Sequence, residues 1–575
     1  MNRGRVLGRR RAVRLGWALA GVLTAISMAL AVTGFGQDRP ASSTAPGPGR
    51  RPAAGRTGPA VPAAVTVSAN AAMAPVPRSY LGLSTEYWAL PLWSPSMSLL
   101  ERALSLVRVR GDGPLVLRVG GDSADHSFWD PDAAPMPRWA FTLAPSWLRE
   151  ARQLVSRLGI KLIIDLNLIT DSPATASQWA RAAESGLPHS SIIAFEVGNE
   201  PDIYSRADWL AITAGSRFAA RPSPGRSLPA TLTARHYVGD FGEYSRALAQ
   251  VAPHTVLAGP ALANPVTHRR WVTALIAGAD HSLGLVTIHR YPYSGCAGRR
   301  GSASYATIGR LLSPAASTGM ASALTPEVDA AHDAGLPLRL TELNSVNCGG
   351  RDGVSNAFAT ALWASDALFA LLRAGVDGVN LHVRADAINA PFAITAGRLE
   401  ARPLLYGLIM FARALGPRAR LVTVSARHAR SLSLSAWAVR TGADTLHIVL
   451  IDKSRRSARV SLRLPATADA AVQRLLAPSA RAITGVTLGG QSLASDGRWQ
   501  GTATDQTVAP RRDGGYVVSV REQSAALISV RVRPGALGVM RTSTSAVATA
   551  VPPATGARRP RGAGRAPRAA RSPQR

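Results

Sequence analysis

Short runs of consecutive apolar residues recur along the chain, separated by longer stretches in which apolar positions return every three or four residues. The first pattern suits strands buried on both faces of a sheet, and the second suits helices that hide one face. Eight runs read as strands: YLGLSTEYW (Tyr80–Trp88), LVLRVGG (Leu115–Gly121), KLIIDLNL (Lys161–Leu168), IIAFEVGNE (Ile192–Glu200), TVLAGPAL (Thr255–Leu262), GLVTIHRYPY (Gly284–Tyr293), LRLTELNS (Leu338–Ser345) and GVNLHV (Gly378–Val383). Helical patterns fill most of the gaps, among them Pro145–Gly159 and Ser355–Gly375, the second closed by a glycine suited to a helix C-cap. Strands alternating with helices in this number favour a closed (β/α)8 barrel, a TIM barrel, over an open sheet. No glycine-rich phosphate loop follows the first strand, which counts against a dinucleotide fold.

Past Gly416 the period changes to two. Arg430–Val439, Asp444–Asp452, Ala458–Leu464 and Gly514–Val520 alternate as antiparallel strands do at sandwich spacing. The expected fold class is therefore α/β: a (β/α)8 barrel over 78–416 followed by a C-terminal antiparallel β-sandwich domain over 417–533. A strand in 64–77, around AAVTVSAN, is expected to join the sandwich from the other side of the barrel.

Composition adds the ends. Residues 37–63 are rich in Pro, Gly, Ala and Ser and read as a disordered linker, and 534–575 read as a basic disordered tail. Formal charge is +31, but residues 1–60 carry ten arginines against one acid and 535–575 carry eight against none. The basicity is thus concentrated outside the folded part and has no interleaved aromatic residues, so no nucleic-acid partner is expected. Six arginines precede a charge-free stretch, Leu15–Phe35. Residues 1–36 then read as a signal peptide or a membrane anchor, the chain being exported and either extracellular or anchored facing outside. Attachment to membrane or cell envelope through this segment and the basic tail is compatible with both. The two cysteines, Cys296 and Cys348, follow neighbouring strands and are expected to form a disulfide beside the site.

In such barrels chemistry lies at the C-terminal strand ends. Glu200 ends the fourth strand and Glu342 the seventh, on opposite sides of a narrow barrel, so the two can flank one bond of a substrate. Paired carboxylates across a glycosidic bond are the machinery of sugar hydrolysis, and Asn199 beside the acid can donate to the sugar 2-hydroxyl. The plainer alternative makes Glu200 a helix cap near Pro201 and gives Glu342 a surface arginine. Asp122, Ser123 or Asp125, in RVGGDSAD, can meet a substrate hydroxyl or form an ordinary turn; Glu86 favours a structural role; His382 faces the rim, as a ligand or a core histidine; Arg384 meets a uronate carboxylate or solvent.

EVGNEPD and LTELNS, with their glutamates 142 residues apart and a sandwich behind the barrel, resemble glycoside hydrolase family 79, which contains β-glucuronidases and heparanase. The resemblance covers about residues 64 to 532. It implies Glu200 as general acid/base, Glu342 as nucleophile, Asn199 near the 2-hydroxyl, and His289 and Tyr291 lining the site, with Tyr291 favoured as the phenol bonded to the nucleophile. The expected activity is a retaining glycosidase, exo-acting on β-glucuronides or glucuronic-acid-containing glycans, with no metal or cofactor. The alternatives are a retaining barrel glycosidase for neutral sugars, xylosides or arabinofuranosides, and a non-catalytic carbohydrate-binding protein.

Overall fold

The computed structural model describes residues 59–68, 74–134, 136, 139–204, 232–296, 299–385, 387–466 and 468–532. The signal or anchor segment, the linker up to 58 and the tail from 534 lie outside them. Among the described residues, no helix is long and apolar enough to cross a membrane.

The eight apolar runs are eight parallel strands: β1 (Leu81–Glu86), β2 (Val116–Gly120), β3 (Lys161–Leu166), β4 (Ile192–Val197), β5 (Leu257–Leu262), β6 (Leu283–Arg290), β7 (Leu338–Leu343) and β8 (Gly378–His382). Each pairs with its successor in sequence, and β8 pairs with β1 to close the barrel. Burial on both faces explains why the runs are continuous rather than alternating: every residue of β1, β2, β5, β7 and β8 is buried. Helices pack outside. Pro145–Leu158 stops at Gly159, whose φ of 60° is the left-handed conformation that glycine adopts without cost. Ala359–Arg373 is buried along all but its last residue, because the barrel covers one side and the second domain the other.

That second domain is a sandwich. Its smaller sheet orders Val424–His428, Val61–Val67, Ala458–Arg463 and Tyr516–Val520; its larger sheet is centred on Leu434–Thr441, Thr445–Asp452, Ser524–Arg531 and Ala470–Leu476. Inward residues of both sheets, such as Val65, Val460, Ile448 and Ile528, form one apolar layer.

The sequence boundaries need correcting at the front. The strand starts at Val61, inside the stretch read as linker, and 64–77 is not one strand: Ala74–Pro75 pairs with Arg420–Leu421 in the larger sheet. Pro62 made the segment look like linker. It is harmless because pairing with Val424–His428 begins only at Ala63, so the missing N–H removes no ladder bond.

The domains are joined through a buried ion pair. Asp366, on the helix Ala359–Arg373, accepts from Lys453 Nζ (2.5 Å) and Ser317 Oγ (2.6 Å) on one oxygen and from Trp437 Nε1 (2.9 Å) on the other. Trp437 stacks on Phe369, with ring centroids 5.6 Å apart. Burial would raise the Asp366 pKa, but Lys453 and the three hydrogen bonds hold it below the usual carboxylate range.

Candidate active site

β4 is followed at once by Gly198, where a Cβ would come within 2.6 Å of Leu168 and φ is 78°. Only glycine fits both constraints. Asn199 and Glu200 follow, and Glu200 itself takes the left-handed conformation, φ 48°, uncommon for such a residue. The strain is held from outside: the Glu200 N–H donates to Ala261 O (3.0 Å) at the end of β5. Asp202 accepts from the N–H groups of Ala263 (2.8 Å) and Asn264 (2.9 Å) and lies 2.8 Å from His268 Nδ1. The short turn Pro201–Ile203 receives no side-chain cap from Glu200, so the capping role fails and the residue lines the cleft instead.

Across the barrel, β7 delivers Glu342, buried and paired in register with His289 of β6. A register shift between Ile288 and His289 re-aims that imidazole, as strand irregularities beside sites do. His289 Nδ1 lies 2.9 Å from Glu200 Oε1 and 3.8 Å from Glu342 Oε2, bridging the two carboxylates. Tyr291, one residue past β6, donates its hydroxyl to Glu342 Oε2 at 2.7 Å.

Arg118 organises the floor, and sequence reasoning missed it. It rises from the middle of β2, is wholly buried, and donates to Glu196 Oε2 (2.7 Å), Glu342 Oε1 (2.7 Å), Asp165 Oδ2 (2.8 Å) and Asn199 Oδ1 (2.9 Å). Glu342 therefore meets an arginine, but an interior one rather than one at the surface. One guanidinium thus faces three carboxylates. Burial and the neighbouring Glu196, Asp125 and Glu342 push the Asp165 pKa well up despite Arg118. The signal that could have exposed Arg118 was a lone charge inside an apolar strand, with matching lone acids in β3 and β4.

The same groups keep the Glu342 carboxylate ionised. Burial alone would raise its pKa; the charges of His382 and His289, the contact with His382, and Arg118 outweigh burial and hold it well below the usual range. His382 Nδ1 approaches Glu342 Oε2 at 3.0 Å and its Nε2 lies 3.5 Å from Glu86 Oε1. Although burial disfavours its charge, Glu342 and Glu86 push His382 up to about 10. Glu86 in turn accepts the Ser123 N–H (2.8 Å). Burial also opposes charge on His289, and Glu342 with the bond to Glu200 overcomes it, so its pKa is raised. Burial first, and then Glu342, raise the Tyr291 phenol well above its ordinary value, so it stays a donor.

The other expected residues separate. Asn199 keeps one amide atom on Arg118 and points Nδ2 toward Asp122 Oδ1 at 3.5 Å. Asp122 sits in the cleft wall, where desolvation and the facing Glu86, Glu200 and Glu342 push it up to about 7. Its side chain is 71% exposed, so solvent tempers that rise. Ser123 and Asp125 are turned inward onto backbone groups. Cys296 and Cys348 form a disulfide, Cα atoms 5.9 Å apart, that ties the loops after β6 and β7 together at the cleft edge.

The cleft has a volume of about 390 Å³, and Glu200, Glu342, Tyr291 and His382 line it with Arg290 and Arg384. That volume falls in the range of small-molecule sites, roughly 300–1,000 Å³. Among the described residues, the one group with metal-ligand geometry is Glu200, His289 and Glu342, one ligand atom from each lying within 4.8 Å of the others. Arg118, Tyr291 and the bridging imidazole already account for that convergence. The arrangement is one ionised carboxylate held from below, facing a second that is open to the cleft.

Residues 434–527 match the model of the glycosyl hydrolase family 79 C-terminal beta domain. A β-glucuronidase from Aspergillus niger is 22% identical over 528 residues, covering 79% of this chain and 91% of that protein. Among solved structures, a 4-O-α-L-rhamnosyl-β-D-glucuronidase from Fusarium oxysporum 12S superposes with TM-score 0.65 at 18% identity, over 81% of this chain and all of the other. A family 51 α-L-arabinofuranosidase from Thermotoga petrophila RKU-1 gives TM-score 0.59 at 16% identity, over 81% of this chain and all of the other.

Proposed function

We propose that the chain, whose residues 434–527 match the family 79 C-terminal beta domain, is a retaining, exo-acting β-glucuronidase of glycoside hydrolase family 79 in which Glu342 is the nucleophile and Glu200 the acid/base. The observation that carries this reading is the carboxylate spacing. One Glu200 oxygen lies within 4.8 Å of one Glu342 oxygen, which supports the spacing of a retaining pair, roughly 5–5.5 Å between carboxyl groups, over that of an inverting pair, about 6.5–9.5 Å.

In the first step Glu342 attacks the anomeric carbon while Glu200 gives its proton to the departing oxygen; the glycosidic bond breaks and a glycosyl ester forms on Glu342. In the second, Glu200 takes a proton from water, the water attacks the same carbon, and Glu342 leaves. Net configuration is kept. Arg118, His382 and Tyr291 hold the nucleophile charged and oriented, and His289 holds Glu200. Asn199 presents Nδ2 toward the cleft for a sugar hydroxyl. An anionic sugar is supported by the cations in the wall, Arg290, Arg384 and His382.

Export belongs to the same reading: the arginine-led apolar segment at 1–36 supports it, as does a disulfide, which persists in oxidising compartments.

The test is proton NMR of the first-formed sugar from 4-nitrophenyl β-glucuronide, alongside xyloside and arabinofuranoside analogues. The β-anomer of glucuronic acid is expected first, and Glu342→Gln should cost at least about 10³-fold in turnover. Initial release of the α-anomer would overturn retention. Preference for a neutral glycoside would overturn the substrate class.

A further inference from the structure

Two hollows larger than the catalytic cleft adjoin each other on the flank where barrel meets sandwich, about 580 Å³ and about 530 Å³, sharing Ile308, Gly309 and Arg481 in their walls. Together they form one groove. Arg300 and Arg351 line one end, Arg455 the other, and Glu522 is the single acid in either wall. Glu522 is already engaged by Ser457 Oγ.

Two of the groove's cations are committed to the fold. Arg310 binds loop carbonyls, including Tyr305 O at 2.9 Å, and Lys453 is spent on Asp366. Arg300, Arg455 and Arg481 are exposed and have no ion pair among the described residues. Arg351 lies 3.9 Å over the Tyr305 ring, giving the groove a flat, positively charged platform. Guanidinium forks without ion pairs, spaced along a channel beside the stacked Arg351–Tyr305 pair, match carboxylate- or sulfate-bearing sugars.

The groove is also placed to act with the cleft. The loops after β6 and β7 show Cys296, Asn347 and Cys348 to the cleft and Arg300 and Arg351 to the groove, so the disulfide-linked loops form a shared wall. A chain long enough to reach round that wall would be held at two points.

We propose that this groove is a second carbohydrate site, which binds an anionic stretch of a polymeric substrate outside the catalytic cleft. The sugar it takes rests on the glucuronide reading; its existence as a groove for an acidic polysaccharide does not.

Hydrogen exchange on the full-length Glu342→Gln protein, with polyglucuronate, neutral dextran or double-stranded DNA as probe, tests it locally, apart from the basic ends. Polyglucuronate should slow exchange in 300–312 and 479–482, while dextran and DNA should not. The triple variant Arg300→Ser, Arg455→Ser and Arg481→Ser should lose that protection. In an otherwise active chain the same triple variant should raise KM for polyglucuronate at least about tenfold and leave 4-nitrophenyl glucuronide turnover within about twofold. Protection confined to the cleft, equal protection by DNA, or an unchanged polymer KM would overturn the proposal. Groove protection in a chain that hydrolyses no glucuronide would sustain the groove and sink the activity reading.

Discussion

Two clusters of buried charge, one under the cleft and one between the domains, follow opposite rules. Asp366 meets one cation and two neutral donors, and both its oxygens are used. Arg118 meets three carboxylates, and around it Asp165 Oδ1, Glu86 Oε1 and His289 Nε2 are buried without a hydrogen-bond partner. A balanced cluster can only hold a structure together. An overcrowded one has protons and hydrogen bonds unassigned, and that is the condition under which a carboxylate can be kept charged or a proton moved. The difference suits the floor of the cleft to chemistry and the interdomain pair to fastening.

Breaking each cluster should separate activity from stability. Arg118→Met should have the largest effect on turnover, on the order of 10³-fold in kcat on an aryl glucuronide, because Glu342, the proposed nucleophile, loses its interior cation; a loss below tenfold would make Arg118 merely structural. Lys453→Met should leave kcat/KM of the folded protein within about twofold but cost about 3–5 kcal/mol in denaturant unfolding, by stranding Asp366. Asp165→Asn should cost turnover far less than Arg118→Met, under about tenfold, and should have the most diagnostic pH signature. With its folded pKa raised, Asp165 favours the folded state below about pH 4 and withdraws that support as pH climbs. Thermal midpoints of the wild type should therefore fall, relative to the variant, as pH rises from 4 to 8. Asp366 has the reverse sign: its lowered pKa stabilises the fold above about pH 4, and this is lost as pH drops further. Parallel midpoint curves for wild type and Asp165→Asn would mean that Asp165 is ionised like Asp366.

The barrel was legible because strands buried on both faces cannot alternate; LVLRV, KLIIDL and LRLTEL have no other comfortable place. Glu200 and Glu342 were legible for a related reason, as carboxylates at the exits of such strands. Arg118, Asp165 and Glu196 were not, since each was absorbed into an apolar run, and their meeting depends on a closure that joins residues up to 78 positions apart. His382 was visible, but its allegiance to Glu342 and Glu86 was not. The Asp366–Lys453 pair spans two domains and 87 residues. Local pattern cannot reach that far, although Lys453 is one of only two lysines in the chain. The start of the sandwich was misplaced by three residues because Pro62 resembles linker until its neighbour's pairing is known.

The strand Val61–Val67 sits between Val424–His428 and Ala458–Arg463, in the interior of the smaller sheet. The polypeptide thus starts the sandwich, leaves to build an entire barrel, and returns more than 350 positions later to finish what it began. During synthesis this sheet waits for its partners until nearly all the chain has emerged, which makes it the slow, late-closing part of the molecule. It also makes the barrel an insert rather than a neighbour. A cut at the boundary near 417 would release a second half lacking its middle strand, with two open edges ready to pair with other chains.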